Sequence, residues 1–513
     1  LVLLNLPKKG RLFSVYHKYT FYRVYDLQLF HLNLPSKQKK LKMKKIFSIL
    51  LVVLASTFFL QANNVVTSAI SLTGQNAALN FSMINYDISW ENSWRTSTNE
   101  SNYDGVWLFV KFRKNNTSLW KHATINYVAP GTAAACGHVE AGGSIIKTSA
   151  DGKGIWQYRN ANGSGAVFFG ANQLRWNYGV DGVLDNDSVE VRVFAVEMCY
   201  IPQGAFNLGS GSLTEPNRFR NGATDSYLPI TSEAAITVGV GAANIFGYGN
   251  SYMAAGSIPA AFPKGFNAFW IMKHEISQQS YADFLNTIDF AAAADRNMGG
   301  FTGVHPNLIA PVPVAAVEYM NTIDILSWMD WAAMRPFTEF EYEKACRGSN
   351  ITPVANEFAW GNTAVTNIGG AQNIGTSSES FTLGNCYYIN VLGRPMRVGA
   401  LATFVSNRTQ SGGSYYGVME MSGNVYERAI DAGYAAGRAF TGLHGDGNLS
   451  VTYTYNVANW PLVADGQGLT WRGGMWNLGG DSTPLRVSER GSASVYSLIR
   501  TIGYGGRAAR TAE

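Results

Sequence analysis

Charge is scarce in this chain: Asp, Glu, Lys and Arg make up 15% of 513 residues, while 46% are hydrophobic. That balance lies well outside the disordered regime and describes a folded protein. Cysteine is scarcer still, with four residues at 136, 199, 346 and 386, no CxxC pair and no metal-ligand spacing. A zinc ribbon and a CxxC redox centre are thereby excluded. After Cys386 the last 127 residues contain no thiol at all. No basic run follows residue 62, so nucleic acid is not an expected partner. A full-length apolar span is also missing, since the run from Ile46 to Leu60 is about 15 residues and crossing a bilayer takes roughly 20.

That run belongs instead to MKKIFSILLVVLASTFFLQANN, beginning at Met43. Basic Lys44 and Lys45, the apolar stretch and the small residue Ala62 read as a secretory signal peptide over 43–62. Residues 1–42 then read as upstream sequence that is not native to the protein. Residues 1–62 hold 11 of the 40 Lys and Arg but one of the 35 Asp and Glu, leaving 29 against 34, a net charge of −5 instead of +5. The expected location is secreted or cell-surface, with no integral membrane segment in the mature chain. Export permits disulfides, but a chain of this size builds its cores without them. Cys346, inside a helical pattern, reads as a buried small apolar residue.

Glycine and tyrosine are plentiful, 54 and 26 residues, as turn-rich β structure requires. From 63 to 195 the apolar pattern has period two: NFSMINYDISW (80–90), GVWLFVKFRK (105–114) and SVEVRVFAVEM (188–198) alternate between Asn, Gly, Ser and Asp clusters. Short strands of this kind predict an all-β, sandwich-like domain. Its tryptophans read as core or sheet-face packing, although a carbohydrate-stacking face would use the same residues.

From 196 to 513 the texture changes to helices set among irregular segments. FWIMKHEISQQSYADFLN (269–286) predicts a strand and then a helix capped by Ser277, and Asn321 to Ala333 a second helix. In RPFTEFEYEKACRG (335–348), Thr338 and Glu341 form a capping box, Phe337 and Tyr342 a hydrophobic staple, and Gly348 the stop.

Six blocks, in order, resemble the signature of the formylglycine-generating enzyme, or sulfatase-modifying factor, family. They are IPQGAFNLG (201–209), MKHEISQQSYADFL (272–285), RPFTEFEYEKACRG with AWGN (359–362), MEMSGNVYER (419–428), WRGGMW (471–476), and RVSER (486–490) with GGRAAR (505–510). The resemblance implies an α+β fold of C-type-lectin-like type with little regular secondary structure over 196–513. It also implies a copper-binding cysteine pair just after the RGG block, where thiolates would hold the soft Cu(I) ion. This chain has MWNLGGDSTPL there (475–485), without cysteine. A related branch holds non-haem iron through HxxxHxE, a spacing that the seven histidines, among them His274 and His444, never make. Neither copper nor iron is therefore expected.

The resemblance further implies a structural calcium site in MEMSGNVYE, with Glu420 and Glu427 as carboxylates and Gly423 and Val425 as carbonyl donors, the hard oxygen ligands that calcium needs. Arg472, Arg486, Arg490 and Arg507 match framework positions that hold irregular loops. Between them, Trp476, Asn477, Asp481, Ser482, Ser492, Ser494, Tyr496, Ser497 and Tyr504 have the small, polar and aromatic character of a binding surface. The layout from Trp471 to Arg510 also resembles that of variable proteins of diversity-generating retroelements. A non-catalytic binding protein for a protein or glycan ligand follows. The alternatives are an oxidoreductase of the same family with an altered metal site, and a structural envelope or fibre component.

Overall fold

Strand β2 (Phe81–Arg95) buries every second residue through Ser82, Ile84, Tyr86, Ile88 and Trp90, the mark of a sheet with one covered face. In the computed structural model, which describes residues 65–513 apart from 115–118, 129–130, 248, 250–252, 299, 404, 463–466 and 494–497, β2 lies between β1 (Val66–Asn76) and β6 (Gly163–Trp176) in an antiparallel sheet of three. The expected leader at 43–62 and the stretch 1–42 lie outside the described residues.

Strand β3 (Asp104–Lys114) belongs to a larger sheet whose main path runs β12–β8–β7–β3–β5–β4. Its other strands are β4 (Ser144–Thr148), β5 (Ile155–Arg159), β7 (Val189–Ile201), β8 (Phe269–Met272) and β12 (Ala509–Thr511), all antiparallel to their neighbours, with Lys121–His122 pairing alongside β3. The period-two pattern at 105–114 forms a strand as expected, and residues 104–112 are buried on both faces. Val106, Leu108, Val110 and Phe112 enter one apolar cluster with Ile84, Ile88 and Trp90 of β2. Trp107 and Phe109 point the other way, into a cluster with Trp270, Trp328 and Trp331, and Trp107 Nε1 donates to the Ala332 carbonyl at 2.9 Å.

The sheet runs unbroken through the expected boundary at 195/196. Along β7, Val189 faces Lys114 and Cys199 faces Asp104, while Met198 to Ile201 also pair with β8. The residues before and after 196 therefore share one ladder.

Helix α1 (Gln278–Leu285) is capped by Ser277, and α2 (Thr322–Trp331) by Asn321. In α3 (Glu339–Arg347) Thr338 accepts from the Glu341 N–H, the Glu341 carboxylate accepts from the Thr338 N–H, and the Phe337 and Tyr342 rings stack at 6.0 Å, as the sequence predicts. Beside α3 lies a small sheet in which β10 (Glu427–Ile430) pairs with β11 (Leu469–Arg472) antiparallel and with β9 (Phe337–Thr338) parallel. Strands thus dominate, helices are few and long segments are irregular, as an α+β fold requires. No described helix is long and apolar enough to cross a membrane. Among the described residues all four cysteines are buried and unpaired, Cys346 included.

Candidate ligand-binding surface

The register of β10 against β11 sets Glu427 opposite Arg472, and from there the arginine frame can be built. Arg472 reaches Glu343 of α3 at 3.0 Å and the Val487 carbonyl at 2.9 Å. Arg490 sends Nε and Nη2 to the two carboxylate oxygens of Glu339 at 2.7 and 2.8 Å, and Nη2 also to Asp431 at 3.0 Å. Arg507 places Nε and Nη2 on Glu427 Oε1 at 2.9 and 2.7 Å and spans to the Met272 and Met419 carbonyls. All three guanidinium groups are buried. Burial alone would raise the Glu339 carboxyl, but Arg490 and then Arg472 outweigh it and hold it below the usual carboxylate range. Pairing of this kind is the condition for charge in a protein interior.

Arg486 differs from the other three. It is half-buried, its Nε is buried without a hydrogen-bond partner, and it joins the frame through its backbone N–H, which donates to the Thr483 carbonyl at 3.2 Å.

On this frame the segment 475–485 forms a loop fixed by its backbone. The Trp476 N–H donates to the Asn424 carbonyl at 2.8 Å and that of Leu478 to the Tyr388 carbonyl at 2.9 Å. Gly479 and Gly480 have positive φ, 63° and 101°, conformations that favour glycine. Asn477, Gly479, Gly480 and Asp481 are exposed, and Ser482 is half-buried. Asp481 Oδ1 accepts from the Thr483 N–H at 2.9 Å and so stiffens its own turn.

Trp476 is a correction to the sequence reading. It is 1% exposed, stacks near Tyr387 at 6.0 Å and donates its indole N–H to Glu318 at 3.1 Å. Buried between those partners, it packs the core instead of facing a ligand. Tyr504 is half-buried and stacks on Trp471 at 4.3 Å, and Ser492 is half-buried with its carbonyl accepting from Thr470 at 2.9 Å. Ser494, Tyr496 and Ser497 lie outside the described residues.

Two carboxylates that position these segments, half-buried Glu318 and buried Glu275, were not singled out from the sequence. Glu318 Oε2 accepts from both the Trp476 indole and the Gly503 N–H, at 3.1 and 2.7 Å, and so ties the loop to the segment carrying Tyr504. Glu275 accepts from the Val425 N–H at 2.9 Å and from the Asn424 amide at 2.5 Å. Their partners identify them, and those partners meet only in the folded chain.

Both carboxylates of the donor set expected for calcium already have protein partners. Glu427 already faces the Arg507 guanidinium, which occupies the place of its counterion, although its Oε2 is buried and unpartnered. Glu420 accepts from the Gly399 N–H at 2.8 Å and lies 3.5 Å from His274 Nδ1. Among the described residues no group of three or more His, Cys, Asp or Glu is arranged to hold a metal ion.

Shared sheet, few helices, long irregular segments and a buried arginine frame together define an α+β domain that displays a C-terminal loop. The family model of the sulfatase-modifying factor enzyme 1-like domain matches residues 195–512, and the chain belongs to that family. No curated relative matches the chain.

Proposed function

We propose that this chain is an exported binding protein, whose sulfatase-modifying-factor-like domain recognises a protein or glycan through the C-terminal region of about 471–510. The observation that carries this reading is the contrast between frame and loop. Arg472, Arg490 and Arg507 are locked in buried ion pairs, whereas Asn477, Gly479, Gly480 and Asp481 stand exposed between them. A rigid support under small polar side chains suits recognition, because little ordering entropy is lost on binding. The loop has no cysteine, and Asn477, Asp481 and Ser482 are hard donors or neutral amides unsuited to Cu(I). The layout of this region is also the one expected of a diversified variable protein. The two N-terminal sheets, closing on one apolar layer, support the sandwich-like reading of residues 63–195, which would carry the binding domain.

The test has two arms. Purified protein is incubated with Cu(I) and a cysteine-containing peptide, and oxygen uptake is followed. Stoichiometric copper with oxygen consumption would replace the binding reading with an oxidase. In parallel, binding to glycan and extracellular-protein arrays is compared between the native chain and the N477A/D481A variant. A ligand retained equally by both would place recognition elsewhere.

A further inference from the structure

The turn at 450–454 and the short helix Phe290–Arg296 enclose, with the C-terminal region, a groove of about 570 Å³. Asp289 and Asp295 line it from the helix, Thr452, Tyr453 and Thr454 from the turn, and Leu498 and Arg500 from the C-terminal region. These groups reach solvent: the Asp295 side chain is 69% exposed, that of Arg500 17%, and Thr452 is exposed. Tyr453 holds a positive φ of 57°, which a bulky residue rarely adopts and which collects at ligand sites.

Unlike the arginine frame, the groove keeps hydrogen-bonding capacity in reserve. Arg500 donates Nε and Nη2 to buried Asp324 at 2.6 and 2.9 Å, and Nη2 to Asp295 Oδ2 at 3.0 Å. Its Nη1 and the Asp295 Oδ1 have no partner among the described residues. Asp289 uses one oxygen, Oδ1, which accepts from the Ala291 N–H at 2.8 Å. The hydroxyls of Ser450, Thr452 and Thr454 form a closed triangle with sides of 3.0, 2.9 and 3.2 Å, which leaves at least one lone pair on the threonines. Burial and then the Asp289 charge raise the Tyr453 phenol pKa, so its hydroxyl stays protonated and donates.

Charge and geometry select the ligand. Asp289, Asp295 and Asp324 are nearly balanced by Arg296 and Arg500, so the groove favours neither an anion nor a cation. Asp295 and Arg500 set an acceptor and a donor side by side, paired at 3.0 Å. A hydroxyl donates to one and accepts from the other through a single oxygen, whereas an amide N–H only donates and a carbonyl only accepts. We propose that this groove binds a neutral saccharide. One hydroxyl bridges Asp295 Oδ1 and Arg500 Nη1, others reach Asp289, Thr452 and Thr454, and the C–H face of the ring lies against Tyr453 and Leu498. The volume is that of a ligand site, roughly 300–1,000 Å³. The inference deepens the reading above and rests on it, because Leu498 and Arg500 belong to the C-terminal region; it narrows the ligand to a glycan and extends the contact beyond the 475–485 loop.

The experiment passes the protein over an array of neutral, sialylated, sulfated and amino glycans and over an extracellular-protein array. Four forms are compared: native, Ala291→Trp, D295N/T452V and N477A/D481A. The native chain is expected to retain neutral glycans. Ala291→Trp, at an exposed helix position lining the groove, should abolish that retention. D295N/T452V should weaken it at least about tenfold, the loss of one charged hydrogen bond. Both changes lie at exposed positions, so the melting temperature should stay within about 2 °C of native. Loss in the groove variants alone would place recognition in the groove and set the 475–485 loop aside. Loss in N477A/D481A alone would keep that loop as the binding surface and overturn the groove. Retention of acidic or amino glycans only, of a protein only, or of nothing on either array would also overturn the proposal.

Discussion

Replacing Arg490 by methionine tests whether the buried arginine frame holds the C-terminal loop. Methionine keeps apolar contact with the Phe219 ring, over which the guanidinium lies at 3.7 Å, so the change removes charge more than packing. Without it, Glu339 and Asp431 face each other buried, with Arg472 as the nearest remaining cation, 3.7 Å from Glu339. Breaking a buried pair from one side costs about 3–5 kcal/mol. At roughly 2–4 °C per kcal/mol the melting temperature should fall by about 6–20 °C. Urea unfolding followed by circular dichroism measures the loss, which is interpretable if the slope against denaturant is unchanged. Glu339→Gln added to Arg490→Met should recover at least about 1 kcal/mol, because contacting residues couple and one stranded charge has gone. A loss below about 1 kcal/mol, the scale of a surface salt bridge, or strict additivity in the double variant, would refute the reasoning.

N477A/D481A, confined to exposed positions, should alter stability by no more than about 0.5 kcal/mol while reducing ligand binding; a large drop in melting temperature would make these residues structural. Excess calcium should move the melting temperature by less than about 1 °C, whereas full occupancy of a tight site would raise it by several degrees; differential scanning fluorimetry decides. Glu420 has a folded pKa raised to about 7, burial being the cause, so the folded state binds the proton more tightly than the unfolded one. Its contribution is fully present below the unfolded carboxyl pKa and lost as pH rises toward 7. Glu420→Gln should therefore flatten the pH dependence of stability between about 4.5 and 7, as read from urea midpoints. Expression of residues 196–513 alone severs β7, and soluble, cooperatively melting protein from that segment would contradict the shared-ladder account.

The α3 capping box was legible because it depends on residues three apart, and the helix starts at Ser277 and Asn321 were legible for the same reason. The alternation of β2 was readable because one of its faces is covered and the other is not. The two-sided burial of strand β3 was not readable: its own residues cannot show that a second layer, with Trp270 and Trp331 from far along the chain, covers the other face. The change of texture read at 195/196 falls where the family match begins, at residue 195, while the hydrogen bonding of β7 to β3 and β8 runs on across it. At the candidate surface, the Arg472 and Arg490 frame was implied by the family resemblance of the WRGGMW and RVSER blocks, and the open loop by the glycines between them. Trp476 was not, because its indole is withdrawn by Glu318, a partner 158 positions away. The Arg507 ion pair at Glu427 was not readable, because it forms only when distant segments meet.

The two-faced burial of β3 also bears on how the chain finds its fold. Even-numbered side chains from Val106 to Phe112 serve one core, and Trp107 and Phe109 serve the other. A slip of one residue in pairing would exchange these sets, forcing indole and phenyl rings into spaces shaped for valine and leucine while starving the opposite side. On a sheet with one wet face such an error exposes apolar groups; here it spoils two interiors at once. Each core thus proofreads the alignment of the other, and whichever condenses first sets the register for its neighbour.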